Sequence, residues 1–314
     1  MKVVAILGGL GSQMFKYAFY LHVNSQTEDK CYIDSTPFYT QRMWNGYELK
    51  KIFGIEAPDI VEFYKDDEVQ CLGNNGRPYI INTLKIMKKE APKKKIYYYI
   101  RGERRTWTRW RTALYMLRER FIKRKDTDFI DEYDESYLSP GDNIFYDEFN
   151  HTSDKYIKNE KYNLVNIFKF PEFSDEINRT VRTKMLNVNS VAIHIRRTDH
   201  LYDNKELYNT GYYPKAIKYI KEHVENPEFF IFSDDTEWCR ENIEELGIGN
   251  SDKYYFIDWN KNEKSYCDMQ LMTYCKHNIL AISSFSWWGY YLSRHKEKVV
   301  CAPEGYWNEV SVHF

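Results

Sequence analysis

The chain has 314 residues, of which 43% are hydrophobic and 17% aromatic, and its formal net charge is −1. That length suits two domains of ordinary size. A near-neutral balance excludes a molecule that holds nucleic acid by overall charge, and no apolar run is long enough to cross a bilayer. The first residues lead straight into a strand-like stretch rather than a signal peptide. The six cysteines, Cys31, Cys71, Cys239, Cys267, Cys275 and Cys301, form no C-x-x-C pair, and they are expected as reduced core residues of a cytoplasmic protein. The aromatic content suits stacking on bases or sugars and equally suits a core rich in rings.

Residues 2–7 read as a buried strand. GGLGSQ follows, then a helix with Met14, Tyr17, Ala18 and Leu21 on one face. Strand, glycine loop and helix form half of a nucleotide-binding unit, whose backbone N–H groups can meet an anion. A second strand over 30–33 ends at Asp34. Gly9, Gly11 and that acid imitate a dinucleotide fingerprint, although Met14 occupies the third glycine position; a tight turn without a ligand explains the glycines as well. Residues 40–84 show no readable periodicity. The window 85–125 is different, with 16 Lys/Arg against 3 acidic residues. Trp107, Trp110, Leu114, Leu117 and Phe121 recur there at 3- and 4-residue steps, which predicts a basic amphipathic helix flanked by Arg105, Arg109, Arg118 and Lys123. Such a helix fits a solvated surface element, an anionic membrane contact or a nucleic-acid contact.

Ser174 opens the readable second half, and from Val191 onward strand and helix alternate regularly. A capped helix runs to about residue 186, and a strand over 191–195 follows. Helices over 212–224, 236–246, 266–277 and 286–295 then alternate with strands over 229–232, 254–257, 278–283 and 299–302. This alternation predicts a doubly wound parallel sheet. The fold class is α/β, with two Rossmann-like domains over 1–170 and 171–314 that face each other across a cleft.

Three strand ends in the second half are polar: HIRRTDH at 194–200, SDD at 233–235 and SSFSWWG at 283–289. Parallel strands bring all three to one edge of the sheet, where ligands bind. Two adjacent arginines, Arg196 and Arg197, suit a diphosphate, or form structural ion pairs with nearby acids. The Ser283–Ser286 stretch could bind phosphate at a helix N-terminus or simply cap it. Asp234 and Asp235 resemble a pair of metal ligands, but no further acids accompany them, so no metal is expected. No zinc spacing or esterase elbow is present.

The segments GGLGSQMFKYA, HIRRTD, FFIFSDDTEWC and DMQLMTYCKHNILAISSFSWWGYYL resemble, in order and over nearly the whole chain, the bacterial α-1,2-fucosyltransferases of glycosyltransferase family 11. The resemblance implies a GT-B-like fold with an acceptor-side first domain and a donor-binding second domain. It further implies GDP-β-L-fucose as donor substrate with no cofactor or metal, inversion to an α-1,2 linkage, and a galactose-containing oligosaccharide or lipid-linked glycan as acceptor. Arg196 would bind the diphosphate and stabilise the leaving GDP. His194 and Asp268 would recognise guanine, and Arg197, Ser233, Asp234, Ser284, Phe285, Ser286, Gly9 and Gly11 would complete the nucleotide site. Asp199 is the first candidate for the base that takes the acceptor proton, with His200 and Glu206 as alternatives; Asp199 could instead pin Arg197. The family commonly has Asn at Ser12, Gln at Lys16 and Gly-Asp-Tyr at Thr198-Asp199-His200, departures that bear on the acceptor. A dinucleotide-dependent oxidoreductase and a non-catalytic glycan- or RNA-binding protein are the alternative functions.

Overall fold

The computed structural model describes residues 1–40, 45–65, 79–100, 103–108, 110, 129–130, 133–147, 150–158, 161–197, 207–208 and 210–314. The chain divides into two compact units, Met1–Lys169 and Phe170–Phe314. Each is an α/β unit built on a largely parallel sheet, as the alternation of strands and helices predicts.

In the first unit the strands are β1 (Lys2–Ala5), β2 (Cys31–Asp34), β3 (Ile96–Ile100), β4 (Glu103–Thr106), β5 (Phe129–Ile130), β6 (Asn143–Tyr146) and β7 (Asn150–His151). The main sheet has the order β2-β1-β6-β3-β4. β1 runs parallel to β2 and β6, β6 runs parallel to β3, and β4 closes the edge antiparallel to β3. Helix α1 (Leu10–Gln26) is buried on more than the expected face. Met14, Phe15, Ala18, Phe19 and Val23 are all at 0% exposure, because Tyr137, Tyr146 and Tyr156 pack edge-on around the Phe19 ring.

The stretch without readable periodicity contains a helix over Glu48–Phe53, a one-turn helix over Ile60–Phe63 closed by an Asp59–Glu62 capping box, and helix α2 (Tyr79–Glu90). Tyr79, Ile80, Thr83, Leu84 and Met87 form the buried face of α2, which covers Val3, Ala5, Tyr98 and Phe145 of the sheet.

The basic window begins otherwise than expected. Arg105 lies on β4, an edge strand whose Glu-Arg-Arg-Thr sequence protects an open edge with charge. Arg104 on the same strand bonds Ser139 and Asp142 and covers the Tyr97 ring. Trp107 is half-buried against the core of the first unit, whereas Trp110 is 82% exposed. A single apolar stripe therefore does not run from Trp107 to Trp110, because the chain is still leaving the sheet there. Arg109, Leu114, Leu117, Arg118, Phe121 and Lys123 lie outside the described residues. No described helix is long and apolar enough to cross a membrane.

In the second unit the strands are β8 (Asn189–Ile195), β9 (Pro227–Ser233), β10 (Lys253–Ile257), β11 (His277–Ile279), β12 (Val300–Ala302) and β13 (Val312–His313). All pairs are parallel, in the order β10-β9-β8-β11-β12-β13. The central strands are near-continuous apolar runs, as burial on both faces requires; Phe229, Phe230, Ile231 and Phe232 are at most 1% exposed. The principal helices are α3 (Glu176–Asn187), α4 (Tyr212–His223), α5 (Thr236–Glu241), α6 (Tyr266–Met272) and α7 (Ser284–Tyr291). Helices α5 and α6 and strand β11 end earlier than periodicity predicts, and α7 starts two residues sooner. Gly289 is explained by packing: a Cβ there would lie 2.7 Å from Met272 Cβ, so α7 approaches α6 closely only without a side chain. The five described cysteines are buried and unbridged, and burial pushes the Cys239 and Cys267 thiols up to about 11.

Candidate functional site

The second sheet forks between β8 and β11. β9 and β10 lie on one side of β8, and the chain then crosses back to place β11 on the other. At such a switch point the flanking connections diverge and open a crevice beyond the carboxyl ends of the strands. The residues after β8 are Arg196 and Arg197. Those after β9 are Asp234 and Asp235, and a short turn after β11 leads into the N-terminus of α7.

The two arginines have different surroundings. Arg197 donates its backbone N–H to Asp234 Oδ1 at 2.8 Å and its Nε–H to Asp235 Oδ2 at 3.1 Å. Its guanidinium lies 3.7 Å above the Trp238 ring and 5.2 Å from the Tyr208 ring. Asp235 also caps α5 by accepting the Trp238 N–H. Arg197 is thus built into the scaffold, as charge pairing and cation–π contact together require. Arg196 meets Asp234 Oδ2 at 3.4 Å, longer than a close charge-assisted hydrogen bond. Arg196, beside Asp234, and the α7 N-terminus are the positive features at this sheet edge.

Across the fork, the His194 and Phe285 rings lie 5.6 Å apart at 30°. Ser283 caps α7 by accepting the Phe285 N–H. Ser284 and Phe285 are half-buried in the first turn. Ser286 is 2% exposed, and its hydroxyl donates to Ser283 O and accepts from Ala281 N. That hydroxyl holds the turn together. Ser233 Oγ likewise accepts the Asp235 N–H at the end of β9.

Asp268 sits in the first turn of α6. Its Oδ1 accepts from Asn260 Nδ2 at 2.8 Å. Asn260 exchanges amide hydrogen bonds with the buried Asn178, which is held in turn by Asp175 and Trp259. Burial raises the Asp268 carboxyl to about 7, opposed by the Asn260 bond. The arrangement orients one carboxylate edge and leaves it costly to ionise until it meets donors.

In the first unit, the turn after β1 departs from the expected glycine pattern. Gly8, rather than Gly9 or Gly11, carries the left-handed φ of +88°, and a Cβ there would lie 2.8 Å from Ser12 Cβ. Gly9 is the N-cap of α1 and Gly11 is buried in its first turn. The buried Gln13 bonds Gly8 O, Gly46 O and the Glu48 N–H. Asp34 is fully buried, accepting from Thr36 N, Thr36 Oγ1 and Thr83 Oγ1; burial outweighs those bonds and raises it to about 6. A carboxylate so enclosed does not hold a ribose hydroxyl, which removes the acid on which the dinucleotide reading rested.

The structure therefore brings His194, Arg196, Arg197, Ser233, Asp234, Ser284, Phe285 and Ser286 to one sheet edge, with Asp268 in the first turn of a helix packed on α7. Asp199, His200 and Glu206 lie outside the described residues. Sequence reasoning missed Tyr208, Trp238 and Asn260. The Tyr and Trp carry no motif, and Asn260 precedes its aspartate by eight residues in an irregular stretch.

The profile of glycosyl transferase family 11 matches residues 115–310. An α-1,2-colitosyltransferase of Escherichia coli is 38% identical over 156 residues, covering 46% of this chain and 52% of that protein. Galactoside α-(1,2)-fucosyltransferase 1 of Mico humeralifer is 30% identical over 108 residues, covering 33% of this chain and 28% of that protein. The chain spans about half the length of the first of these curated relatives and less of the second. The crystal structure of fucosyltransferase NodZ from Bradyrhizobium aligns over 92% of this chain and 91% of that one, with a TM-score of 0.45 and 15% identity.

The unequal surroundings of the arginines have a measurable consequence. Arg197→Ala leaves Asp235 without its guanidinium and empties the space against Trp238, and is expected to cost about 2 kcal/mol or more. Arg196→Ala is expected to cost less, because its contact with Asp234 is longer than that of Arg197 with Asp235. Urea melts of the two variants measure this; equal losses would mean that Arg197 is no more structural than its neighbour.

Proposed function

Because the chain belongs to glycosyl transferase family 11, we propose that it transfers L-fucose from GDP-β-L-fucose to the 2-hydroxyl of a galactosyl acceptor, inverting the anomeric centre without a metal ion. The observation that carries this reading is the fork between β8 and β11, which gathers Arg196, the α7 N-terminus and the His194–Phe285 pair at one crevice. Arg196 binds the diphosphate and offsets the charge that develops on departing GDP. Asp268 accepts hydrogen bonds from the guanine N–H groups, oriented by Asn260, and His194 stacks or bonds beside the base. Asp199 is the first candidate to take the acceptor proton, with His200 and Glu206 next. Metal independence is supported by the engagement of Asp234 and Asp235 with arginine donors.

A relative named as a colitosyltransferase favours a second reading of the donor sugar. Colitose is fucose without its 3-hydroxyl. A site that hydrogen-bonds that hydroxyl rejects the deoxy sugar strongly, whereas an apolar wall there discriminates weakly. Parallel assays with the two GDP-sugars separate the readings.

With GDP-fucose and a galactoside, Arg196→Ala is expected to lose about 10²–10³ in turnover, while EDTA leaves the wild type unchanged. Near-normal turnover in the variant would remove the centre of the proposal. Restoration by Mn²⁺ or Mg²⁺ after chelation would make Asp234 and Asp235 ligands instead.

Nucleotide binding carries a pH dependence of defined sign. Asp268 accepts from guanine donors with both oxygens, and without a competing O–H, only when ionised, and its raised carboxyl is protonated below about pH 7. GDP affinity is therefore expected to fall about tenfold per pH unit below that point and to level above it. Asp268→Asn should bind weakly with a flat profile; calorimetry that finds the same flat profile in the wild type would exclude the carboxylate from the guanine site.

We further propose reversible attachment to an anionic membrane, supported by the charge of residues 85–125 and the exposed Trp110. Each basic residue near such a surface contributes about 1 kcal/mol. Sedimentation with vesicles should rise with phosphatidylglycerol content and fall with salt; equal sedimentation with neutral vesicles would contradict it.

A further inference from the structure

The backbone of β8 changes partners just where it reaches the arginines. Successive residues of a strand direct their backbone groups to opposite neighbours. Ile195 pairs with Ser233 of β9, and the Arg197 N–H continues on that side to Asp234. His194 and Arg196 consequently face the other side, where β11 would lie. The β8–β11 ladder, however, stops at Ile193 opposite Ile279. The carbonyls of His194 and Arg196 lie past the end of that ladder, so its pairing does not account for their donors.

Tyrosine hydroxyls supply them. Tyr213, fully buried at the start of α4, donates to His194 O at 3.0 Å. Tyr208 donates to Arg196 O at 3.1 Å. The neighbouring Tyr212 donates to Leu280 O, just past the end of β11, and also reaches Cys301 O within β12. Tyr208 has further contacts that its hydroxyl alone does not explain. Its ring lies edge-on to Trp238 at 5.2 Å, tilted against Tyr213 at 5.6 Å, and 5.2 Å from the Arg197 guanidinium. One side chain thus touches the main chain of Arg196 and the cage of Arg197 together.

We propose that Tyr208 is a positioning residue for Arg196: it fixes the main chain from which the diphosphate-binding guanidinium projects, while Arg197, Trp238 and Asp235 fix the next residue. This inference rests on the reading of Arg196 given above. The hydroxyl suits the task because burial holds the phenol far above its ordinary value, so it remains a donor throughout the working pH range. The carbonyl of Arg196 is two bonds from the Cα that carries its side chain. A small shift there moves the guanidinium by a comparable distance, and misplacement by about 1 Å can cost 10²-fold in rate.

Tyr208→Phe tests this, since it deletes the hydroxyl and keeps the ring against Trp238 and Arg197. The variant is expected to lose about tenfold in kcat with GDP-fucose, with less than about threefold change in KM and a melting temperature close to that of the wild type. A double-mutant cycle separates positioning from a general structural effect. In an Arg196→Lys background, where the guanidinium fork is already gone, Tyr208→Phe should cost less than about threefold. Wild-type kcat in Tyr208→Phe would overturn the proposal, and so would the same rate loss in both backgrounds. If Arg196→Ala itself keeps normal turnover, the underlying reading of the donor site fails; if Arg196→Ala is inactive while Tyr208→Phe is unaffected, only the positioning role fails.

Discussion

The second unit depends on what happens where a parallel sheet stops pairing. β8 and β11 are neighbours for three residues, from His277↔Val191 to Ile279↔Ile193, and then separate. The separation leaves the carbonyls of His194 and Arg196 past the end of the ladder. Burying an unsatisfied carbonyl costs on the order of 1–3 kcal/mol, so the chain needs donors that are not strands. Tyr208, Tyr212 and Tyr213 provide them from one side, and Asp234 receives the N–H of Arg197 from the other. The polar residues of the site can point outward because their own backbone is held this firmly.

In the same region several polar residues are engaged within the protein. Arg197, Asp235, Ser286 and Asn260 have their polar groups engaged inside the protein. Asp268 is an intermediate case: it is oriented by Asn260, yet its burial makes ionisation unfavourable near neutral pH. A carboxylate in that condition gains more from N–H donors than one that is already well solvated. In the proposed guanine site, stability and binding would therefore pull in opposite directions at this side chain.

How much of this was legible in the sequence follows from the kind of signal each residue carries. The strand–helix alternation after Val191 was readable because parallel strands buried on both faces are compact apolar runs such as Phe229–Phe232. HIRR and SSFS stood out because polarity rises abruptly where those runs end. Periodicity misjudged lengths, since the end of α6 is set by a turn after Met272 and not by loss of apolar residues. One residue was read too functionally: Asp34 is sealed under α2 by Thr83. α2 went unread because its buried face mixes Tyr79 and Thr83 with aliphatics, which blurs the stripe. The arginine window misled for a different reason: Trp107 and Trp110 have helical spacing, but β4 ends at Thr106 and leaves Trp107 against the core. Tyr208 and Trp238 were invisible because a ring that supports a guanidinium and a hydroxyl that meets a carbonyl 12 residues back leave no pattern in one dimension.

The central claim is that the fork between β8 and β11 is a guanine nucleoside diphosphate site organised by Arg196 and Asp268. Calorimetric titration of the full chain with GDP, UDP and NAD at pH 8 tests it most directly. The account predicts that GDP binds, that UDP and NAD bind at least about 10²-fold more weakly, and that Asp268→Asn removes the preference for GDP while leaving the fold intact. Tighter binding of UDP or NAD, or an undiminished preference for GDP in Asp268→Asn, would contradict it.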